Sequence, residues 1–260
     1  MNKLLSLMVC CVASAAFAHV GIVNTQTPYA VAGRNYELVL SVPHGCTYTT
    51  SSGTTSAADT WKVEVVIPAG FLGARPILDG VFGKPTLTKD ENGMVTAITW
   101  EKGTAFDSSA DDQVHRVAVR STAPNAPFTT ARFNVKQFCR HPEGGEELVV
   151  DWANYGTPAT NESPAVKIVP ARTPGWNRYL MTPANELHSA QEVKDFLAAY
   201  FSDAQIVWLQ APGGPRGGFS VNPATTTRIQ AQAAGDASFF AVADQTELML
   251  HANDTLWVRF

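Results

Sequence analysis

Charged side chains are scarce in this sequence, and they are not grouped by sign. Only 16% of the 260 residues are Asp, Glu, Lys or Arg, and the formal net charge is −4. There is no cluster of Lys and Arg, the usual footprint of nucleic-acid binding, and no basic amphipathic segment that would indicate a membrane surface. Composition therefore favours neither partner class. The 45% of hydrophobic residues is enough for a packed core and excludes intrinsic disorder.

The motifs of several common chemistries are also missing. The sequence has no GxSxG nucleophile elbow and no HExxH zinc motif, and its five methionines are scattered rather than grouped as in a Cu(I) site. The glycine-rich residues 213–218 lack the Lys-Ser/Thr pair that cradles phosphate, so we expect a mobile loop there and no nucleotide site. Nothing in the sequence supports a hydrolase.

A secretory signal is predicted over residues 1–18. Lys3 supplies the positive n-region, the run from Leu4 to Ala15 is apolar, and Ala16-Phe17-Ala18 is a small-x-small cleavage site. No later segment reaches about 18 consecutive apolar residues, so we expect no membrane span in the mature chain. The prediction is a periplasmic or secreted protein cut between Ala18 and His19.

Cysteines are few, and two of the four leave with the signal. Cys46 and Cys139 remain. In an exported protein the expected state of two isolated cysteines is a disulfide, and the alternative is a pair of thiolate metal ligands. The absence of CxxC spacing favours the disulfide.

Most of the mature chain has an apolar period of two. Short alternating runs separated by Gly, Pro, Asn and Asp turns predict an antiparallel β-sandwich. The runs are Tyr36–Val42, Trp61–Ile67, Val95–Trp100, His115–Arg120, Ala131–Phe138 and Glu147–Trp152. Two polar stretches, Thr49–Thr60 and Thr157–Pro164, are predicted to be loops.

The composition changes after Pro170, and residues 171–260 are predicted to form a small α+β domain of unknown role. Ser189, with Glu192 three residues later, is typical of a helix N-cap and precedes an amphipathic run that ends at Tyr200. Strands are predicted over Gln205–Leu209, Thr226–Gln232, Ser238–Ala243 and Glu247–Phe260, with a flexible segment over Ala211–Gly218.

Signal removal would give the mature chain an N-terminal histidine. The α-amine and Nδ1 of His19 are then two nitrogen donors on one residue, and they can chelate one ion in a ring. The α-amine has an unperturbed pKa of roughly 7.7 to 8.0, and among divalent ions copper leads in affinity for nitrogen ligands. The prediction is a Cu(II) site, provided that cleavage falls at this bond.

Further short motifs in the same order resemble the YcnI-like periplasmic or membrane-anchored copper-binding family over about residues 19–170. The motifs that carry the resemblance are His19-Val20, Thr27-Pro28, Gly33, Val42-Pro43, Ile67-Pro68-Ala69-Gly70, Gln137, Gly144-Gly145 and Trp152. The resemblance implies a β-sandwich of immunoglobulin or fibronectin-III type whose N-terminal histidine binds Cu(II) through amine and imidazole. It also implies that a carboxylate after the Val-Pro pair and a late tryptophan complete the site.

The sequence departs from that family at the carboxylate, where it has Val42-Pro43-His44-Gly45-Cys46. Imidazole suits Cu(II), so we favour His44 as the third nitrogen ligand of this histidine brace. The alternatives are that Asp151 or Glu146 reaches the ion, or that the site is degenerate and His44 is a turn residue.

Trp152 carries over from the family directly. Its indole nitrogen is a donor only, so its expected part is to shield the ion, and the alternative is plain core packing. His115 and His141 are expected to be bystanders, although a disulfide at Cys139 would draw His141 towards His44.

The function predicted first is a non-enzymatic, periplasmic copper-binding protein in copper acquisition, delivery or buffering, that is, in copper homeostasis. Its expected partners are the copper ion and copper transporters or other periplasmic copper proteins. One alternative is a copper-dependent polysaccharide monooxygenase, in which an amine, two imidazoles and an open position activate oxygen. Another is a module that docks a partner through residues 171–260 and has no metal role.

Overall fold

The computed structural model describes residues 20–23, 28–78, 80–102, 114–140, 147–154, 161–212, 214–219, 240–241 and 249–260. The predicted signal peptide, His19, His141 and Glu146 lie outside this part. So do residues 157–160 of the predicted loop at 157–164, the predicted strand at 226–232 and most of the predicted strand at 238–243. None of the helices in the described part is long and apolar enough to cross a bilayer.

The described part contains nineteen strands and one α-helix of eleven residues. The strands of the first 170 residues are β1 (Gly21–Ile22), β2 (Tyr29–Val31), β3 (Asn35–Val42), β4 (Cys46–Thr49), β5 (Thr55–Ala58), β6 (Thr60–Val66), β7 (Leu72–Ile77), β8 (Thr86–Lys89), β9 (Val95–Glu101), β10 (His115–Thr122), β11 (Thr129–Arg132), β12 (Val135–Cys139), β13 (Leu148–Trp152) and β14 (Ala165–Val169). The later elements are β15 (Trp176–Leu180), a 3₁₀ turn (Pro183–Asn185), α1 (Ala190–Tyr200), β16 (Ile206–Ala211), β17 (Gly214–Phe219), β18 (Phe240–Ala241) and β19 (Thr255–Arg259).

The expected β-sandwich is present in the first 170 residues. One sheet has the strand order β1-β3-β10-β7, a second has β13-β12-β6-β9-β8, and a third has β11-β14-β2. All pairings are antiparallel except that of β14 with β2. Alternate residues of β3 and β10 point inwards because successive side chains of a strand face opposite sides. They meet the inward residues of β6, β9 and β12 in one hydrophobic core, which contains the fully buried Trp100.

Residues after 170 contribute a second core. The sheet β15-β19-β16-β17-β18 packs one face against α1, and the buried residues of this core include Val193, Leu197, Leu209 and Val258. The helix begins as the sequence predicts, because the Ser189 side chain accepts a hydrogen bond from the Glu192 backbone N–H at 3.2 Å.

Phe128 connects the two cores. It comes from the connection before β11, yet its ring packs with aromatic rings of the second core, with centroids 5.1 Å from Phe196 and 5.6 Å from Tyr200. Its backbone has φ 65°, a conformation that is costly for an aromatic residue. The ring contacts are the interactions available to offset this cost.

Arg172 forms a second link at the same junction. Its guanidinium carbon lies 4.7 Å from the ring centre of Tyr29 and 4.5 Å from that of Phe260. Tyr29 is in β2 of the sandwich, and Phe260 packs against the second core. Asp203 pairs with this guanidinium and also accepts a hydrogen bond from the Tyr29 hydroxyl at 3.0 Å. The junction therefore combines ring packing with a shared ion pair.

Four sequence predictions need correction. In the predicted strand Glu247–Phe260, the described residues form a strand only over Thr255–Arg259, because residues 251–254 make a turn in which the Asp254 N–H donates to the His251 carbonyl at 3.1 Å. The stretch Thr49–Thr60, predicted as a loop, contains β5, which pairs with β4, and includes the first residue of β6. The stretch Ala211–Gly218, predicted as flexible, contains most of β17, which pairs with β16. The single run Ala131–Phe138 is two strands in different sheets, because β11 pairs with β14 whereas β12 pairs with β6 and β13.

Candidate functional site

The described chain enters the sandwich at the end of β3 that leads to His44. In β1, Gly21 lies opposite Ser41 and Ile22 opposite Leu40, so the chain direction before Gly21 follows β3 towards Val42. Val20 is buried at 3% exposure. His19 lies outside the described residues.

His44 occupies the turn between β3 and β4, and it is half-buried. Its Nδ1 lies 2.5 Å from the carbonyl oxygen of Gly45. A carbonyl can only accept, so Nδ1 carries the proton and donates it. In the neutral ring the other nitrogen, Nε2, then holds the lone pair that a metal ion would need.

Gln137 fastens this turn to the sandwich. It is 2% exposed, and its Nε2 donates to the His44 carbonyl at 2.6 Å and to the Thr60 hydroxyl at 2.7 Å. Its Oε1 accepts from the Trp152 indole N–H at 3.3 Å. A glutamine amide has two N–H donors, and both are used. One buried side chain therefore joins the His44 turn, β6 and β13 to β12.

Trp152 is at the end of this hydrogen-bond chain and is 5% exposed within the first core. Because its only N–H donates to Gln137, the indole is held in one orientation by a protein partner. Trp152 is thus packed in the core, as one of the two interpretations of this residue expects. It is also linked to the His44 turn through the side chain of Gln137.

The predicted pairing of Cys46 with Cys139 is confirmed. The two residues form a disulfide with their Cα atoms 5.8 Å apart, and the Cys46 N–H lies 2.9 Å from the Cys139 sulfur. Both cysteines are buried in a small cluster with Ala58. The disulfide therefore ties the segment just after His44 to the end of β12, two residues beyond Gln137.

His115 and Asp151, two further residues considered for the site, differ in their surroundings. His115 is 5% exposed, and its neighbours are Asp59, 3.9 Å from Nε2, and the Phe82 ring, 5.5 Å away. Asp151 is exposed, and as the strand neighbour of the buried Trp152 it projects from the opposite side of β13. It therefore does not point towards the indole, which weakens the alternative that Asp151 replaces the family carboxylate.

Within the described residues, no group of three or more His, Cys, Asp or Glu side chains could hold a metal ion. A metal site at this end of the sandwich would therefore need donors from outside that part of the chain. The N-terminal His19 is the donor that the sequence proposes.

Two polar partners were missed by the sequence reasoning. Gln137 was noted only as part of a motif and Thr60 only as the end of a loop, although both are buried. A signal for Gln137 exists, since in the alternation of β12 it takes the inward phase shared by Val135 and Cys139. A polar residue at an inward position requires hydrogen-bond partners.

Comparisons with known proteins bear on the fold alone. No family model matches the chain, and no curated protein matches it. Among solved structures it is similar to an uncharacterized protein from Nocardia farcinica with an immunoglobulin-like fold, at 19% identity and a TM-score of 0.44, over 58% of this chain and 97% of that one. It is also similar to the 35 kDa C-terminal fragment of the major pilin GBS80 of Streptococcus agalactiae, at 11% identity and a TM-score of 0.29, over 92% of this chain and 74% of that one. Neither likeness carries an argument about function.

The first prediction concerns Gln137. Replacing it in Gln137→Leu leaves the Trp152 N–H, the Thr60 hydroxyl and the His44 carbonyl without their partner, so the free energy of unfolding should fall by about 1 to 3 kcal/mol. Urea unfolding followed by tryptophan fluorescence measures it. The matched control is Gln191→Leu on the exposed face of α1, which should change stability by less than about 0.5 kcal/mol. Equal losses in both variants would contradict the assigned role.

The second prediction concerns the disulfide. Protein prepared without reductant should give a Cys46–Cys139 cross-linked peptide in non-reducing mass spectrometry. In the chain-entropy model, removing the cross-link in the paired Cys46→Ser and Cys139→Ser variant should lower the free energy of unfolding by about 4 to 5 kcal/mol. Reduced wild-type protein is the control and should match the variant. Two free thiols in the unreduced protein would contradict the pairing.

Proposed function

We propose that the mature chain, after removal of residues 1–18, binds one Cu(II) ion at the end of β3. The ligands are the α-amine and Nδ1 of His19 and Nε2 of His44. The observation that carries the proposal is the pairing of β1 with β3, which places Gly21 opposite Ser41, three residues before His44. Three nitrogens of this kind suit a tetragonal Cu(II) site.

The surroundings of His44 support its role. A ligating histidine usually donates its second ring N–H to a carbonyl or carboxylate, which fixes the tautomer and the ring orientation. The Nδ1–H bond to Gly45 is such a contact. On the other side of the turn, the Gln137 amide holds the His44 backbone carbonyl, and the disulfide at Cys46 limits movement of the following residues.

Trp152 would contribute without coordinating. Its N–H is committed to Gln137, so no indole nitrogen is available as a ligand. Its large apolar ring, bonded to the Gln137 amide, would exclude water from the interior side of the His44 turn. This exclusion would affect how readily a bound ion meets solvent and redox partners.

This ligand set fits a binding protein in copper acquisition, delivery or buffering in the periplasm, with copper transporters or other periplasmic copper proteins as partners. Delivery requires release as well as binding. All three nitrogens must be deprotonated to coordinate, so acidification provides one route for release.

The third prediction tests the N-terminal chelate. Protein beginning at His19 should bind one Cu(II) with an electron paramagnetic resonance spectrum dominated by nitrogen ligands. In protein with one additional residue before His19, the His19 nitrogen is part of an amide bond and the amine–imidazole chelate of a single residue is lost, so the spectrum and the affinity should both change. The same spectrum and affinity in both forms would show that the N-terminal amine is not a ligand.

The fourth prediction tests His44. His44→Ala should remove one nitrogen from the coordination shell and weaken Cu(II) binding at least tenfold, about 1.4 kcal/mol. The control is His188→Ala, because His188 is exposed just before α1 and should leave spectrum and affinity unchanged. Both variants should release the copper that they bind as the pH is lowered, because the nitrogen ligands must be deprotonated to coordinate. An unchanged spectrum in His44→Ala would identify His44 as a turn residue only.

A further inference from the structure

The sheet of the second core, β15-β19-β16-β17-β18, has an outer face that α1 does not cover. In β16 and β19 the inward residues Val207, Leu209, Leu256 and Val258 belong to the second core together with the helix. Because side chains alternate along a strand, their neighbours project from the opposite side of the sheet. We call this side the outer face.

The outer face is rich in tryptophan. Trp257 of β19 lies directly opposite Trp208 of β16, and on its other side it lies opposite Arg178 of β15. Trp176 projects from β15 two residues before Arg178. The exposed fractions are 49% for Trp176 and 37% for Trp257, and Trp208 is half-buried. Three of the six tryptophans of the chain thus share one surface that crosses three adjacent strands.

A groove of about 490 Å³ runs beside Trp257. Its polar lining consists of Arg178, Gln210, Asn253 and Thr255. The Trp257 indole N–H donates to Gln210 Oε1 at 2.7 Å, which fixes the plane of the ring and leaves the Gln210 amide N–H groups facing the groove region. An oriented aromatic plane therefore stands next to several hydrogen-bonding groups.

The charge of this surface differs from that of the whole chain. Arg178 and Arg259 are exposed there, and the Arg178 guanidinium carbon is 6.0 Å from the Trp257 ring centre. None of the described residues of the outer face or its groove is Asp or Glu. The formal net charge of the chain is −4, so this positive surface is a local feature.

We infer that the outer face binds an acidic polysaccharide. The C–H faces of pyranose rings are apolar and pack on indole planes, as the exposed Trp257 and Trp176 present them. Hydroxyl groups match the amide and hydroxyl groups of Gln210, Asn253 and Thr255. The anionic groups of the sugar pair with the guanidinium groups of Arg178 and Arg259, which favour carboxylate and sulfate.

Two other ligand classes fit less well. Nucleic acid also stacks on aromatic rings, but it needs an extended basic surface, whereas Arg178 and Arg259 are the basic residues with described side chains on this face. An apolar protein partner would not require the polar groove. This inference does not depend on copper binding.

The experiment is isothermal titration of the full mature chain with oligoalginate, which carries carboxylates, with sulfated dextran oligomers, and with uncharged cello-oligosaccharides. Binding to at least one acidic oligomer is expected, at least tenfold tighter than to the uncharged one and weakened by added salt. Trp257→Ala should weaken binding at least tenfold. The matched control is Trp61→Ala, a half-buried tryptophan of the sandwich, which should leave it unchanged.

A second pair of variants tests the inference independently of any folding defect in Trp257→Ala. Trp176→Ala removes the most exposed of the three rings and should weaken binding severalfold with an unchanged melting temperature. Arg178→Gln should remove most of the preference for acidic over uncharged sugar. No binding to either acidic oligomer, equal binding to the uncharged one, or tighter Trp257-dependent binding to single-stranded DNA would overturn the inference.

Discussion

The His44 end of the sandwich depends on the hydrogen bonding of one buried amide. Gln137 lies where a strand would normally place an apolar side chain, and burial of an unpaired amide is costly. Its three hydrogen bonds remove that cost only if β6, β13 and the His44 turn are all in their observed places. Satisfying one polar group thus fixes the relative position of three segments that are distant in sequence.

The disulfide acts on the same segments by a different route. Cys139 is two residues beyond Gln137 in β12, and Cys46 is two residues beyond His44. The hydrogen bond from the Gln137 amide sets the orientation of the turn, because hydrogen bonds weaken steeply when they are misaligned. The disulfide limits the distance between the turn and β12. Together they restrict the backbone of the turn that bears the half-buried His44 imidazole. Such restriction is the property that a ligand for a metal with preferred geometry requires.

The sequence predicted the elements whose side chains alternate clearly. In β3 and β10 the burial pattern follows the apolar alternation, so both strands were identified. In β8 every residue is exposed, and β7 contains Pro76, so neither gives such a signal. The glycine-rich β17 is defined by its backbone pairing with β16, which leaves no mark in composition. These strands exist because a neighbouring strand offers unpaired backbone groups.

The candidate site shows the same division. The residue types of His44 and Trp152 attract attention in the sequence, and the pairing of two remaining cysteines follows from their number. The contact of Gln137 with the His44 carbonyl joins residues 93 positions apart, and only the folded sandwich brings them together. Long-range contacts of this kind depend on sheet register, which a single sequence specifies only through the complete set of buried residues.

The proposed copper site and the outer face belong to different cores. His44, Gln137 and Trp152 are attached to the first, whereas Trp208 and Trp257 lie on the sheet of the second. The cores meet through the Phe128 ring and the Arg172–Asp203 pair. The Phe128 ring packs on the side of the sheet β15-β19-β16-β17-β18 opposite its outer face, and Arg172 contacts Phe260 at the end of β19. Residues without shared partners contribute nearly independently to stability and binding. Loss of a tryptophan from the outer face should therefore leave the His44 turn intact, and each proposal can be accepted or rejected without the other.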